Sequence, residues 1–241
     1  MSALLTIFLS TILSWSEPID WARPQADETI LILVRHGEIY GNDPSKETEH
    51  TLNGCKTDLP LNANGEAQAE EVAKKFASVQ KENNLKIGAI YSSFLTRAIQ
   101  TAEYFSKELG ILSIQRTDLR EIYWGEGEGI LVTVKNALWG DEEKKIYELI
   151  LDRKKRWDYL PAIPQAESYN QLLARTLSEL EIIAESHRGE VVLIVTHGRL
   201  IKTLISDLLD EEISDSIPNC GACVLRSTPT SLQFLEQRSR S

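Results

Sequence analysis

Apolar runs and polar breaks alternate along the chain. Ile30 to Val34 form a short continuous apolar run, the pattern of a strand covered on both faces. A polar stretch over 37–61 follows, punctuated by Gly41, Pro44, Gly54 and Pro60. Loops of that length are often functional. Asn62 is placed to cap a helix in which Ala69, Val72, Phe76 and Val79 recur at three- and four-residue steps. A second strand is predicted over 87–91, then a helix over 95–109 ended by Gly110, then a short strand over 111–114. Three glycines crowd 125–129. A charged helix is predicted over 141–157, broken by Pro161 and Pro164, and a long helix over 166–187, with Gly189 at its end. The fourth strand falls at 191–195 and the next helix at 199–209. Two closing strands, 222–225 and 231–235, flank Pro229. Strand and helix alternate, which predicts an α/β fold with a mainly parallel sheet.

Composition narrows this picture. A chain of 241 residues with 42% hydrophobic content can bury a sizeable core in one domain, with room for an inserted subdomain. The net charge of −10 gives no general attraction to nucleic acid, so no nucleic-acid partner is expected. It also means that clustered arginines stand locally against the overall field. The run Arg153-Lys154-Lys155-Arg156 reads as a solvated helix face, with guidance of an anionic substrate as the alternative. Three cysteines do not make a disulfide framework. Cys220 and Cys223 have the spacing of a metal or redox pair but no second pair to complete a site. They read as small residues entering a buried strand.

The N-terminus is apolar over 3–13, too short to span a bilayer, so no stable membrane span is expected. Ser14-Trp15-Ser16 could pass as a cleavage site, but no Lys or Arg precedes the apolar stretch as a signal peptide requires. The alternatives are an apolar tail packed on the domain or a membrane-surface element. The expected organisation is an apolar segment and linker over 1–28, then one domain over 29–237 with a lid-like insertion at about 122–165. A cytoplasmic location is expected, with export through the N-terminal segment as the alternative.

The candidate chemistry lies where strands end. The first strand runs into Arg35-His36-Gly37-Glu38 and the fourth into Thr196-His197-Gly198. In open α/β sheets, ligands bind at the carboxyl ends of the strands. Ser92-Ser93 reaches the same rim and leads into a helix that starts near Arg97. Arg35, His36, Arg97 and His197 are thus expected together. Arginine forks match phosphate oxygens in pairs. A helix N-terminus adds oriented amides, and Gly198 lets the backbone approach closely. A neutral imidazole can attack phosphorus, and fixed cations can stabilise its oxygens without a metal. Glu121 is the best-placed carboxyl to protonate a leaving oxygen. The expected partner is a small phosphorylated substrate or a phosphopeptide, with no cofactor and no metal. His50 reads as solvated and His187 as a helix cap. Trp124, Trp139 and Trp157 either wall a pocket or serve ordinary packing.

At this point the chain resembles the histidine phosphatase superfamily, the phosphoglycerate mutase-like fold. Arg35-His36-Gly37-Glu38 resembles the phosphohistidine motif, with Asn42 at the family's asparagine. Asp58, Leu61, Gly65, Gln68 and Ala69 resemble D-x-x-L-x-x-x-G-x-x-Q-A. Residues 92–102, which include Arg97 and Thr101, resemble the family's S-x-L-x-R-A-x-Q-T-A helix start. Leu119, Glu121, Gly125, Glu128 and Gly129 resemble L-x-E-x-x-x-G-x-x-E-G. Glu167-Ser168 with Arg175, and Val195 to Gly198, complete the set in family order over about 30 to 226.

The resemblance implies a three-layer sandwich with a mainly parallel central sheet and helices on both faces. It implies that His36 is the phosphorylated nucleophile and Glu121 the proton donor. Arg35, Asn42, Arg97, His197 and the Gly198 amide would bind the phosphoryl group, and Glu38 would be mainly structural. There are departures. Ile39 stands where the family often has Thr or Ser, and Gly41 replaces a frequent aromatic residue. The loop from Asn42 to Asp58 is longer than in the mutases. Glu121-Ile122-Tyr123-Trp124-Gly125 replaces the E-R-H-Y-G of cofactor-dependent mutases, and the R-H-G-x-R-x-P pattern of the acid phosphatase branch is absent. The expected activity is metal-independent hydrolysis of a phosphomonoester through phosphohistidine. The alternatives are a mutase-like phosphotransferase and a catalytically silent phosphate-binding module.

Overall fold

The computed structural model describes residues 13–15, 19–43, 49–150, 162–210 and 216–239. Among these, seven strands form one sheet: β1 (Leu13–Ser14), β2 (Thr29–Arg35), β3 (Ile87–Ser93), β4 (Ser113–Arg116), β5 (Glu190–Thr196), β6 (Ala222–Thr228) and β7 (Ser231–Ser239). Their order across the sheet is β1-β7-β6-β2-β5-β3-β4. The helices are α1 (Ala63–Asn83), α2 (Thr96–Leu109), α3 (Val132–Ile150), α4 (Tyr169–Ser186) and α5 (Gly198–Leu208). The central strands β2, β5, β3 and β4 run parallel, while β6 runs against both β2 and β7. The fold is the expected α/β sandwich with a mainly parallel sheet.

The continuous apolar run of the first strand is explained by the two faces it serves. Ile30, Ile32 and Val34 join a core that includes Val72 and Phe76 of α1 and Phe105 of α2. Leu31 and Leu33 join a second core with Leu172, Leu180 and Ile183 of α4 and Leu204 of α5. All five strand residues are fully buried. Each such side chain contributes roughly 1.5–3 kcal/mol relative to exposure. Strand β5 divides in the same way, so the two strands that carry the His-Gly turns form a rigid centre.

Several boundaries differ from the sequence reading. Helix α4 begins at Tyr169, because Ser168 and Gln171 form a reciprocal capping box that fixes its start. Strand β4 is shifted to Ser113–Arg116, leaving Leu112 87% exposed in the turn before it. An edge strand has one neighbour and tolerates polar residues, so its apolar pattern misleads. Helix α3 starts at Val132, where Leu131 bridges to Thr51 and the Val132 amide donates to the His50 carbonyl. Gly110, at φ +70°, closes α2 in the left-handed region. The basic run 153–156, Trp157 and Pro161 lie outside the described residues.

At the sheet margin, Leu13 and Ser14 pair in parallel with Arg238 and Ser239 of β7. Trp15 is buried edge-on against Phe76, with ring centroids 5.3 Å apart. The fully buried Arg238 donates to the Ser14 carbonyl (2.8 Å) and to Glu236, and its guanidinium lies over Trp15 and Trp21. Among the described residues, no helix is long and apolar enough to cross a membrane.

Candidate active site

Both His-Gly turns leave the sheet at the same edge. Arg35 pairs in register with Thr196, so His36 and His197 emerge side by side, and their ring centroids stand 5.2 Å apart. Close backbone approach fixes this geometry. A Cβ on Gly37 would stand 2.5 Å from the Gly65 carbonyl oxygen, and one on Gly198 would stand 3.0 Å from Arg35 Nε. The Gly37 amide donates to Thr101 Oγ1, and the Asn219 side chain donates to the His36 carbonyl.

His36 is 4% exposed. Its Nδ1 lies 2.7 Å from the Gly37 carbonyl oxygen, which can only accept. The proton of the neutral ring is therefore on Nδ1, and Nε2 carries the lone pair. Burial, then the positive charges of Arg97 and Arg35, hold the His36 pKa well below its ordinary 6.5. His197 is fully buried, and burial, then Arg97, likewise hold it well below 6.5. Two neutral imidazoles therefore stand beside two arginines at neutral pH.

Arg97 is fully buried and anchored on loop carbonyls, donating to Gly54 O and Thr57 O at 2.9 Å each. Burial lowers its pKa and that of Arg35, while Glu121 opposes the shift in both. Arg35 donates to the Ile217 carbonyl. Even so, Arg35 Nε, Arg97 Nε and both ring nitrogens of His197 are buried with no hydrogen-bond partner among the described residues. Buried polar groups without partners are costly, and three donors and one acceptor on these residues mark a place built for a polyoxygen ligand.

Glu121 lines the same cavity as Arg35, His36, Asn42 and Gly198. Its carboxylate sits at the N-terminus of α5. Oε1 accepts from the amides of Ile122 (2.9 Å) and Leu200 (3.1 Å), and Oε2 accepts from Arg199 (3.0 Å). Gly198 keeps the helix amide that Glu121 does not take. Asn42 Oδ1 accepts from the Ile39 amide at 2.8 Å, which orients its side chain. All seven sequence-predicted residues therefore meet. Arg35, His36, Asn42, Glu121 and Gly198 face the cavity, His197 is fully buried with its ring 5.2 Å from that of His36, and Arg97 is fully buried and close enough for its charge to act on both histidines.

The remaining motif residues hold this arrangement. Glu38 accepts from Asn62 and Asn64, and its amide donates to Gln68. Asp58 caps α2 through the Thr96 amide and hydroxyl, both at 2.7 Å. Glu167 accepts from Arg120 and Arg175, and Arg175 also binds the carbonyls of Asp118, Arg120 and Glu121. Burial pushes the Glu167 carboxyl up, but the hydrogen bonds from Arg175 and Arg120 outweigh it and hold it below the ordinary value.

Sequence reasoning missed the reach of Glu128. Its Oε2 accepts from the Gly54 amide (3.1 Å), the Thr57 amide (3.2 Å) and Thr57 Oγ1 (2.7 Å), and its Oε1 accepts from the Trp124 amide (3.2 Å). Glu128 therefore shapes the loop whose carbonyls grip Arg97. Its place in the glycine-rich motif was the available signal. Trp124 walls the cavity, whereas Trp139 packs on the second core. His50 is half-buried, with Nε2 donating to the Asp43 carbonyl at 2.7 Å, so it is a loop strut rather than a solvated side chain. His187 ends α4 as expected and also bonds Glu190 and Tyr91. Cys220 and Cys223 are buried thiols outside any disulfide, and burial pushes Cys223 up to about 12.

Comparison with known proteins gives the family. The chain is 28% identical to a metal-independent phosphoserine phosphatase of Arabidopsis thaliana, over 88% of this chain and 80% of the relative. It is 27% identical to a 2,3-bisphosphoglycerate-dependent phosphoglycerate mutase of Rhizobium etli, over 78% and 83%. The solved structure of YhfR from Bacillus stearothermophilus matches with a TM-score of 0.68 at 26% identity, over 86% of this chain and 96% of that one. The sequence profile of the histidine phosphatase superfamily (branch 1) matches residues 31–238, and the chain belongs to that superfamily.

Proposed function

We propose that the protein is a metal-independent phosphomonoesterase acting through a phosphohistidine at His36. The observation that carries this reading is the buried, neutral His36, its Nδ1 proton committed to a carbonyl, next to four unpartnered buried nitrogens. His36 Nε2 attacks phosphorus, an N–P bond forms, and the bond from phosphorus to the ester oxygen breaks. Glu121 in its acid form gives that oxygen a proton. Oε2 is the atom suited to carry it, because it accepts one amide where Oε1 accepts two. Arg35, Arg97, His197, Asn42 and the Gly198 amide meet the phosphoryl oxygens, which supplies fixed positive charge without a metal. Water then attacks phosphorus, its proton passes to Glu121, the N–P bond breaks and phosphate leaves.

A cavity of about 280 Å³ favours a small substrate over a phosphopeptide. It falls just below the roughly 300–1,000 Å³ of common ligand pockets. A cytoplasmic setting belongs to the same reading, in keeping with three cysteines held as thiols. Rapid quench in denaturant at alkaline pH, where a phosphohistidine survives, with phosphorus-labelled substrate and chelator present, should trap label on His36. A His36→Ala protein with unchanged turnover would sink the proposal. The mutase relative supports a second reading, transfer to another hydroxyl. Measuring free phosphate against phosphoryl transfer to an added acceptor separates the two.

A further inference from the structure

Glu121 can serve as an acid only if its carboxyl reaches the leaving oxygen, and that reach is set by the backbone that carries it. Proton transfer needs heavy atoms about 2.6–3.2 Å apart, and a misplacement of about 1 Å costs on the order of 100-fold. Arg175, in the second turn of α4, holds this backbone. Its Nη1 donates to the carbonyls of Asp118 (2.7 Å) and Arg120 (2.9 Å), and its Nη2 donates to that of Glu121 (3.3 Å). Nε and Nη2 also donate to the two oxygens of Glu167, at 2.7 and 3.0 Å. Every N–H of the guanidinium is thereby committed, and none is left for a ligand. The side chain is 11% exposed and does not line the active-site cavity. Glu167 extends the grip beyond Glu121, because its Oε2 accepts from the Tyr123 amide (3.1 Å) and its own amide donates to the Tyr123 carbonyl (2.8 Å). From the sheet, Thr196 Oγ1 donates to the Leu119 carbonyl at 2.7 Å, which ties the same segment to the strand that leads into His197. Arg120 also reaches the Glu121 carbonyl, at 3.2 Å, but it grips one carbonyl where Arg175 grips three. The groups proposed to hold the phosphoryl oxygens stand on other elements, Arg35 at the end of β2, Arg97 on α2 and His197 after β5, and Arg175 bonds none of them.

We propose that Arg175 is a positioning residue for the general acid, clamping the Glu121 backbone so that the carboxyl meets the leaving oxygen. This deepens the phosphomonoesterase reading and rests on its assignment of Glu121. The clamp serves the leaving-group step more than phosphoryl binding, so its loss falls unequally on different esters. A 4-nitrophenolate leaves without a proton because its charge spreads over the ring. An alkoxide has no such outlet and needs the proton from Glu121. The charge of Arg175 also adds, after burial, Arg97 and His36, to the forces that hold the His197 pKa down, but that effect is common to every ester.

The test compares benzyl phosphate with 4-nitrophenyl phosphate on the full chain, both carrying one aromatic ring. The quantity read is the ratio of their kcat/KM values, which reports the step that forms phosphohistidine. Glu121→Gln should lower the benzyl-to-nitrophenyl ratio by about 100-fold or more, the ordinary worth of a general acid. Arg175→Gln should lower it by about tenfold or more, and Arg175→Lys should restore part of it. In the Glu121→Gln background, Arg175→Gln should leave the ratio within about twofold, because the two residues act through one proton. Ser168→Ala, which weakens α4 at its cap, should lower stability with the ratio unchanged, so a loss of helix stability alone does not mimic the effect. If Arg175→Gln does not fold, Arg175→Lys and Arg120→Gln carry the same test, each with a fall of about threefold expected. Equal losses for the two esters in the Arg175 variants, with Glu121→Gln discriminating between them, overturn the positioning role and leave the phosphatase reading intact. Equal losses in Glu121→Gln overturn the assignment of the acid and the positioning role with it. An unaltered chain that cleaves neither ester, or only the 4-nitrophenyl ester, has no acid step to position and overturns both.

Discussion

Replacing Glu128 with Gln tests how far the site depends on a residue that does not face the cavity. The amide nitrogen of glutamine must take the place of one carboxylate oxygen. In the Oε2 position it would confront three donors, those of Gly54, Thr57 and the Thr57 hydroxyl. In the Oε1 position it would confront the Trp124 amide and the more distant Lys56 amide. The second arrangement costs less and strands one good backbone donor and one weak one. At roughly 1–3 kcal/mol for a stranded buried donor, and with charged acceptance lost elsewhere, stability should fall by about 2–3 kcal/mol. The loop carbonyls of Gly54 and Thr57 also lose their support, and these position Arg97. If Arg97 then loses one charge-assisted contact to the phosphoryl group, kcat/KM falls by about 10- to 150-fold. Urea unfolding reads the first effect and steady-state phosphate release reads the second. A double-mutant cycle with Arg97→Lys should show strong non-additivity. Turnover within twofold of the unaltered enzyme, or strictly additive losses, would refute the link from Glu128 to Arg97.

Three further outcomes are expected. His36 and His197 are both held well below 6.5, chiefly by burial, so below that pH the unfolded chain binds protons that the folded chain does not. Stability should fall with falling pH by about 1.4 kcal/mol per unit for each histidine until the folded values are reached. Urea midpoints from about pH 7.5 to about 5.5 would show this, and a flat profile would count against it. Gly65→Ala would drive a Cβ into the Glu38 carbonyl oxygen and should cost at least about 1–3 kcal/mol, read as a lowered Tm. Ser168→Ala removes the cap of α4 and should cost about 1 kcal/mol in urea unfolding, with Ser168→Asp recovering most of it.

Much of the site was legible because its residues sit where a simple pattern breaks. Two apolar runs ending in His-Gly announce buried strands that deliver polar groups to one rim, and β2 and β5 are indeed neighbours. Asn62 and Gly110 were legible as caps because capping is local chemistry. What stayed hidden depends on distance in space. The antiparallel run of β6 leaves no mark in its own apolar pattern. Arg199 reads as one more charged residue on a helix until α5 is seen to open onto the cavity beside Trp124. Glu128 could be placed in a motif, but its partners lie more than seventy positions upstream at Gly54 and Thr57.

The short strand at Leu13–Ser14 has a practical consequence for anyone trimming this protein to its family boundaries. Those boundaries, 31–238, fall after it. Yet it covers the outer side of β7 at Arg238 and Ser239, and Trp15 and Trp21 shield the Arg238 guanidinium. A chain cut to the family limits would retain every residue proposed to bind the phosphoryl group. It would also uncover the edge of β7 at Arg238 and admit water to a charge that had been dry. Such a trimmed protein should be less stable than the longer chain, and that loss would say nothing about its chemistry.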